Sequence, residues 1–212
     1  MVTSPRPTTI LLVRHGVTST TGKVLPGRAP GLHLSDAGLA QANAVAERIG
    51  ALSKKPVAIY ASPLERTRET AAPIARVMKK KLVINKGLLE CDFGTWTGKS
   101  LATLSRKAEW RQVQNSPSTF TFPDGESFTQ MQLRMWNTLS ELAQRHAGRT
   151  IVCVSHADPI KAAVTYAQGV PLDLFQRTVI SPCSVSVLQI GGARPLVLSV
   201  NNTSVLSELV PS

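Results

Sequence analysis

The sequence predicts an α/β fold: a three-layer α/β/α sandwich around a mostly parallel central sheet. Two observations carry that expectation. Short strand-like runs alternate with amphipathic stretches, the pattern of repeated β-α-β units. Two of the runs, Thr8–Arg14 and Thr150–Ser155, hold unbroken apolar centres at residues 10–13 and 151–154, as strands covered on both faces do. With 212 residues, of which 42% are hydrophobic, the chain can bury a substantial core. Nothing marks a linker, so residues 1–212 read as one domain.

Residues 1–7 are polar and read as a loose tail before the first strand, Thr8–Arg14. The next stretch places Leu39, Ala42, Ala46, Ile49 and Leu52 at spacings of three and four, which makes one apolar helix face, with Ser35 as its N-cap. A second strand is expected at 57–61. The "SPLE" that follows reads as a helix start, with Ser62 at the N-cap, Pro63 at the first helical position and Glu65 closing a capping box. A third strand is expected at 82–85. Residues 91–126 are less regular and read as a cap or insertion over one edge of the sheet. A long helix is expected over 127–146, with Phe128, Met131, Met135, Leu139 and Leu142 on one side and Gly148 stopping it. The remaining strands fall at Thr150–Ser155, 184–190 and 196–200.

Composition narrows the function. No apolar run approaches the roughly 20 residues of a membrane span. Cys91, Cys153 and Cys183 are far apart, without a C-x-x-C pair, so reduced packed thiols are expected rather than a disulfide framework or a zinc site. The formal net charge of +11 invites an anionic partner. Its small clusters, Lys54-Lys55 and Lys79-Lys80-Lys81, sit where helices should end and would complement their dipoles. Aromatic residues are only 5%, too few for base-stacking platforms. The expected partner is therefore a small phosphorylated metabolite, not nucleic acid or a membrane. The chain would work in the cytoplasm as a monomer or homodimer.

The chemistry gathers where strands end. In open α/β sheets, ligands bind beyond the carboxyl ends of the strands. The first strand ends in Arg14, His15 and Gly16, and the fourth runs into His156. If the two strands are neighbours, both imidazoles reach one crevice. Arg66 falls on the first turn of the helix after the second strand, where free N–H groups and the dipole already favour anions. Two guanidinium forks, two imidazoles and a helix start describe a site for a tetrahedral dianion. A divalent metal is the rival for two histidines, and the flanking arginines would repel it. A neutral imidazole nitrogen can attack phosphorus, and nearby arginines should keep His15 unprotonated. The proton donor should be a carboxylic acid in apolar surroundings, which Glu90 finds among Leu88, Leu89, Phe93 and Trp96. Asp92 is a spare carboxylate. "GTWTGKS" imitates a nucleotide P-loop but has one residue too few between its glycines. His33 and His146 read as surface residues, and Trp110 and Trp136 as packing.

"LLVRHGVT", "SPLERTRETA", "LLECDFGTWTG", "PDGESF" and "VSHADPI" occur in an order and spacing that resembles the histidine phosphatase superfamily, in its phosphoglycerate mutase-like branch. The likeness covers about residues 8 to 190. It implies a phosphohistidine on His15, with Arg14, Arg66, His156 and the backbone N–H of Ala157 around the phosphate. Glu90 would donate a proton and then act as base towards water. Thr18 and Thr21 would add hydroxyl ligands. The family often has an acid where Val17 stands and an asparagine where Thr21 stands. The acid phosphatase branch takes its donor from an aspartate directly after the second histidine. Here that position is Ala157, with Asp158 one residue further on, which favours Glu90. Arg28, in "LPGRAPG", would reach a substrate carboxylate or second phosphate unless it is an exposed loop arginine. The function implied is a metal-independent phosphomonoester hydrolase of a small metabolite, needing no cofactor. The alternatives are a phosphomutase using the same intermediate and a non-enzymatic anion- or nucleic-acid-binding module.

Overall fold

A computed structural model of the chain describes residues 6–204. Of the tail expected at 1–7, residues 1–5 lie outside the described residues. Pro7 is exposed, and the Arg6 carbonyl accepts from Gly148 N at 3.0 Å. In chain order the elements are β1 (Thr8–Arg14), α1 (Asp36–Gly50), β2 (Ala58–Ala61), α2 (Glu65–Met78), β3 (Leu82–Ile84), α3 (Leu101–Leu104), α4 (Ala108–Asn115), α5 (Phe128–Arg145), β4 (Thr150–Ser155), α6 (Ala157–Ala167), β5 (Val185–Ile190) and β6 (Leu196–Asn202).

The six strands form one sheet in the order β3-β2-β4-β1-β5-β6. The first four are mutually parallel, while β5 runs antiparallel to β1 and β6 antiparallel to β5. The period-two alternation of β1 shows why helices must cover both faces. Leu11 and Val13 pack with Val45, Ile49 and Ile74 of α1 and α2. Ile10 and Leu12 pack with Met135, Leu139, Ile160 and Val164 of α5 and α6. All four β1 side chains are completely buried, each contributing about 1.5–3 kcal/mol of apolar burial. The three-layer α/β/α sandwich is thus formed.

Two local expectations differ from the structure. The buried face of α1 is rotated: Leu39 is exposed, and Gly38 and Val45 face inward beside Ala42, Ala46 and Ile49. A Cβ at Gly38 would stand 2.1 Å from the Val17 carbonyl oxygen, so the helix docks there by backbone contact. Ser35 does cap it, accepting from Gly38 N at 3.2 Å. The capping box expected at Ser62 is absent. Helix α2 starts at Glu65 with Leu64 as N-cap, and Thr67 Oγ1 donates to the carbonyls of Ser62 and Leu64 instead.

Residues 91–126 build a third core. Phe93, Trp96, Leu104, Val113, Phe120 and Phe122 pack on Phe128 and Met131 of α5, Ala162 of α6 and Phe175. This core is shared with α5 and α6 rather than with an edge strand. It brings Phe93 and Leu101 to the carboxyl end of the sheet.

Candidate active site

β1 and β4 are adjacent and parallel, with Arg14 opposite Ser155. The residues that follow, His15 and His156, therefore emerge side by side. Their ring centroids are 5.3 Å apart at 63° between planes. His15 N donates to the Ser155 carbonyl at 3.0 Å, extending the ladder into the turn. His15 Nδ1 lies 2.8 Å from the Gly16 carbonyl oxygen. A carbonyl only accepts, so Nδ1 carries the proton and Nε2 keeps its lone pair. Gly16 serves a neighbour the sequence did not suggest. A Cβ there would come within 2.7 Å of the Gly38 carbonyl oxygen of α1.

Burial sets the charge states. The His15 ring is only 6% exposed, and burial, with Arg66 beside it, pushes its pKa down to about 3. His156 is fully buried and held well below the ordinary imidazole range by the same burial and by Arg66. Its Nε2 lies 2.9 Å from Ser62 Oγ, while its Nδ1 has no hydrogen-bond partner among the described residues. Arg66 is fully buried too. One of its nitrogens, Nη2, donates to the Gly27 carbonyl at 2.8 Å, but Nε and Nη1 have no partner among the described residues. Arg14 donates through Nη1 to the Ile180 carbonyl at 2.6 Å and leaves a buried Nε without a partner among the described residues. Burial lowers the pKa of both guanidiniums. Buried donors without partners cost roughly 1–3 kcal/mol each, more when charged. An anion among them would remove that cost.

Arg14, His15, Thr18, Thr21, Glu90 and Ala157 line one cavity of about 360 Å³, walled by apolar side chains including Leu25, Phe93, Leu101 and Val179. Arg66 and His156 are fully buried and are not among its lining residues, with the His156 ring next to that of His15. Ala157 is the first residue of α6, so the free N–H groups and positive end of that helix face the cavity. Thr18 and Thr21 join through their hydroxyls at 3.0 Å, and Thr18 N donates to Thr21 Oγ1 at 2.9 Å. Glu90 is 7% exposed, and Cys91 N donates to its Oε1 at 3.0 Å. Burial, and then the Asp158 carboxylate, push its pKa up to about 7.

Arg28 does not join this set, contrary to the sequence expectation. Its Nε donates to the Glu90 carbonyl at 2.8 Å, Nη1 pairs with Asp92 at 3.2 Å and Nη2 with Glu126 at 3.0 Å. All its nitrogens are engaged outside the cavity. That arrangement also removes Asp92 from the cavity lining.

The histidine phosphatase superfamily (branch 1) model matches residues 10–203. The chain belongs to that superfamily. It is 36% identical over 168 residues to an uncharacterized protein of Mycobacterium tuberculosis, covering 78% of this chain and 81% of that protein. It is 31% identical over 205 residues to phosphoserine phosphatase 1 of Hydrogenobacter thermophilus, covering 94% of each. A phosphoserine phosphatase from Entamoeba histolytica, solved in complex with 3-phosphoglyceric acid, superimposes with a TM-score of 0.82 at 27% identity over 93% of this chain and 98% of its own.

In this superfamily member the cavity has lining residues that the sequence did not assign to it. Asp158, Lys161, Gln176 and Thr178 all line the cavity, and Lys161 Nζ reaches Asp158 at 3.3 Å and Gln176 Oε1 at 2.9 Å. Ala157, Asp158 and Lys161 share one face at helical spacing, a signal available once a helix is placed after His156. Ser62 carried no such signal. His33 is exposed and pairs with Glu69, whereas His146 is partly buried with Nε2 2.8 Å from Tyr60 Oη. Trp110 stacks on Trp96, and Trp136 packs on Tyr166.

Proposed function

We propose that this protein is a metal-independent phosphomonoester hydrolase of small phosphorylated metabolites, acting through a phosphohistidine on His15. One observation carries the reading: a neutral imidazole with a defined lone pair and a carboxyl held near neutral pKa line the same cavity, above four unpartnered buried donor atoms. The relatives named as phosphoserine phosphatases support the substrate class.

In the first step the Nε2 lone pair of His15 attacks phosphorus. The phosphorus–oxygen ester bond breaks, its electrons go to the leaving oxygen, and Glu90 gives that oxygen its proton. Arg14, Arg66, the Nδ1–H of His156 and the Ala157 N–H hold the equatorial oxygens, where charge develops. For His156 to donate from Nδ1, the Ser62 hydroxyl must donate to Nε2. In the second step the Glu90 carboxylate takes a proton from water as the water oxygen attacks phosphorus. The nitrogen–phosphorus bond breaks, His15 regains its lone pair, and Glu90 is again an acid.

Cavity size suits a small metabolite better than nucleic acid. Three buried free thiols, at Cys91, Cys153 and Cys183, suit a reducing compartment such as the cytoplasm. Among the described residues no helix is long and apolar enough to cross a membrane. One chain supplies the whole site, so a monomer or a homodimer serves equally.

The test is a panel of phosphorylated metabolites, including phosphoserine and 3-phosphoglycerate, assayed with chelator present. Release of inorganic phosphate supports the reading. Isomerised phosphoglycerate without free phosphate would replace it with a phosphomutase, and no turnover of any ester would overturn it.

A further inference from the structure

The segment that carries Glu90 has no ladder to fix it. After a single 3-10 turn at Lys86–Leu88, residues 89–93 belong to neither helix nor strand. Yet a general acid displaced by about 1 Å can lose on the order of 10²-fold in rate. Something must hold this stretch.

Two guanidiniums converge on it. Arg28 Nε donates to the Glu90 carbonyl at 2.8 Å and Arg134 Nη2 to the same oxygen at 3.3 Å. Arg134, on α5, also donates through Nη1 to the carbonyls of Gly87 at 2.8 Å and Leu89 at 3.0 Å. Like charges this close need a counter-charge between them, and Glu126 supplies it. Its carboxylate takes a two-pronged contact from Arg134, Nε and Nη2 each at 2.8 Å, and a third from Arg28 Nη2 at 3.0 Å. The same carboxylate accepts from Asp92 N at 3.3 Å, while Glu126 N donates to the Asp92 carbonyl at 2.8 Å. The Glu126 side chain is only 13% exposed, so these contacts are weakly screened by solvent.

We infer that Arg28, Glu126 and Arg134 form a clamp that positions the Glu90 carboxyl for proton transfer. The inference rests on the hydrolase reading above. None of the three touches substrate, so they are positioning residues. A pair serving stability alone has no need to converge on the carbonyl of the acid.

Glu126→Gln breaks the clamp at its centre, and Arg134→Lys keeps the charge but loses the fork. Each is measured beside wild type, Glu90→Gln and the Glu90→Gln/Glu126→Gln double variant. The substrates are an alkyl phosphate, which needs the proton, and p-nitrophenyl phosphate, which hardly does. Expected is a loss of about 10- to 100-fold in kcat/KM on the alkyl ester, with kcat/KM on the aryl ester within about threefold, because kcat/KM reports the attack by His15 and not the water step that both esters share. In the double variant the Glu126 change should add no further loss on the alkyl ester. Equal losses of kcat/KM on both esters in the variants that fold, or additive losses in the double variant, would overturn the clamp while leaving the hydrolase reading intact. If Glu126→Gln does not fold, Arg134→Lys decides by the same comparison. If neither folds, the contacts serve stability and the clamp is overturned. Wild type inactive on both esters would instead overturn the hydrolase reading.

Discussion

The imidazoles of His15 and His156 meet edge to face, 5.3 Å between centroids, and both are driven towards the neutral form. That pairing follows from their surroundings. A protonated ring would sit beside the buried guanidinium of Arg66, in a region with little water to screen it. The strand register then decides where the two uncharged rings lie, because Arg14 pairs with Ser155.

His15→Ala should abolish turnover, by a factor on the order of 10³ or more, with the fold retained. Rapid acid-free quenching of wild type during turnover of a labelled ester should show acid-labile, base-stable phosphorus on protein. The same label on the His15→Ala protein would assign the nucleophile elsewhere.

Glu90→Gln should lower kcat/KM on alkyl phosphates by about 10²-fold or more and on activated aryl phosphates only slightly. The pH profile carries a second sign. Glu90 must be protonated to act, and its pKa is pushed up to about 7, so wild-type kcat/KM on alkyl esters should fall as pH rises through about 7. The variant should lack that limb. His15 is pushed down to about 3, so it stays neutral from pH 5 to 8 and adds no acid limb there.

The strands and the long helix were legible because their signals are local. Unbroken apolar runs marked β1 and β4, and Ser127 caps α5 through a reciprocal contact with Gln130. Arg14, His15, His156 and Glu90 were legible as candidates because each lies at a strand end or in an apolar stretch. Ser62 and Arg28 were misread for one shared reason. Ser62 fits a capping box by spacing, but its partner is the His156 ring, 94 positions away. Arg28 looks like a free loop arginine, but its partners lie 62 to 98 positions away. Long-range polar pairing leaves no periodicity in a sequence.

Asp158→Asn should move the alkaline limb to lower pH. Asp158 is the charged neighbour that raises the Glu90 pKa, and its removal frees the Lys161 ammonium that pairs with it at 3.3 Å. Both changes favour the Glu90 carboxylate. A limb that stays in place or moves upward would show that Asp158 does not tune the acid.

Glu90 should also cost the fold stability in alkaline solution. Its native pKa, about 7, lies above the ordinary 4.5, so between those values the native state binds more protons and stability falls as pH rises. The penalty is absent below about pH 4.5 and complete above about 7. Glu90→Gln should therefore be more stable than wild type at pH 8, by on the order of 3 kcal/mol, and much closer to it at pH 5. Chemical denaturation at the two pH values measures the difference.

Arg66 separates binding from folding most sharply. Among the described residues its fully buried guanidinium makes one hydrogen bond, to Gly27, and leaves two nitrogens unpartnered. Replacing such a group with an apolar side chain of similar length removes a desolvated charge and leaves one carbonyl orphaned, two effects of opposite sign. Free Arg66→Met should thus unfold within about 1 kcal/mol of wild type. A bound anion behaves differently. Phosphate at 100 times its Kd should stabilise wild type by about 2.7 kcal/mol. That gain should largely vanish in the variant, since the guanidinium fork supplies two of the four unpartnered donors. Thermal unfolding with and without phosphate reads both quantities at once. An undiminished phosphate-induced rise in Tm would remove Arg66 from the anion site.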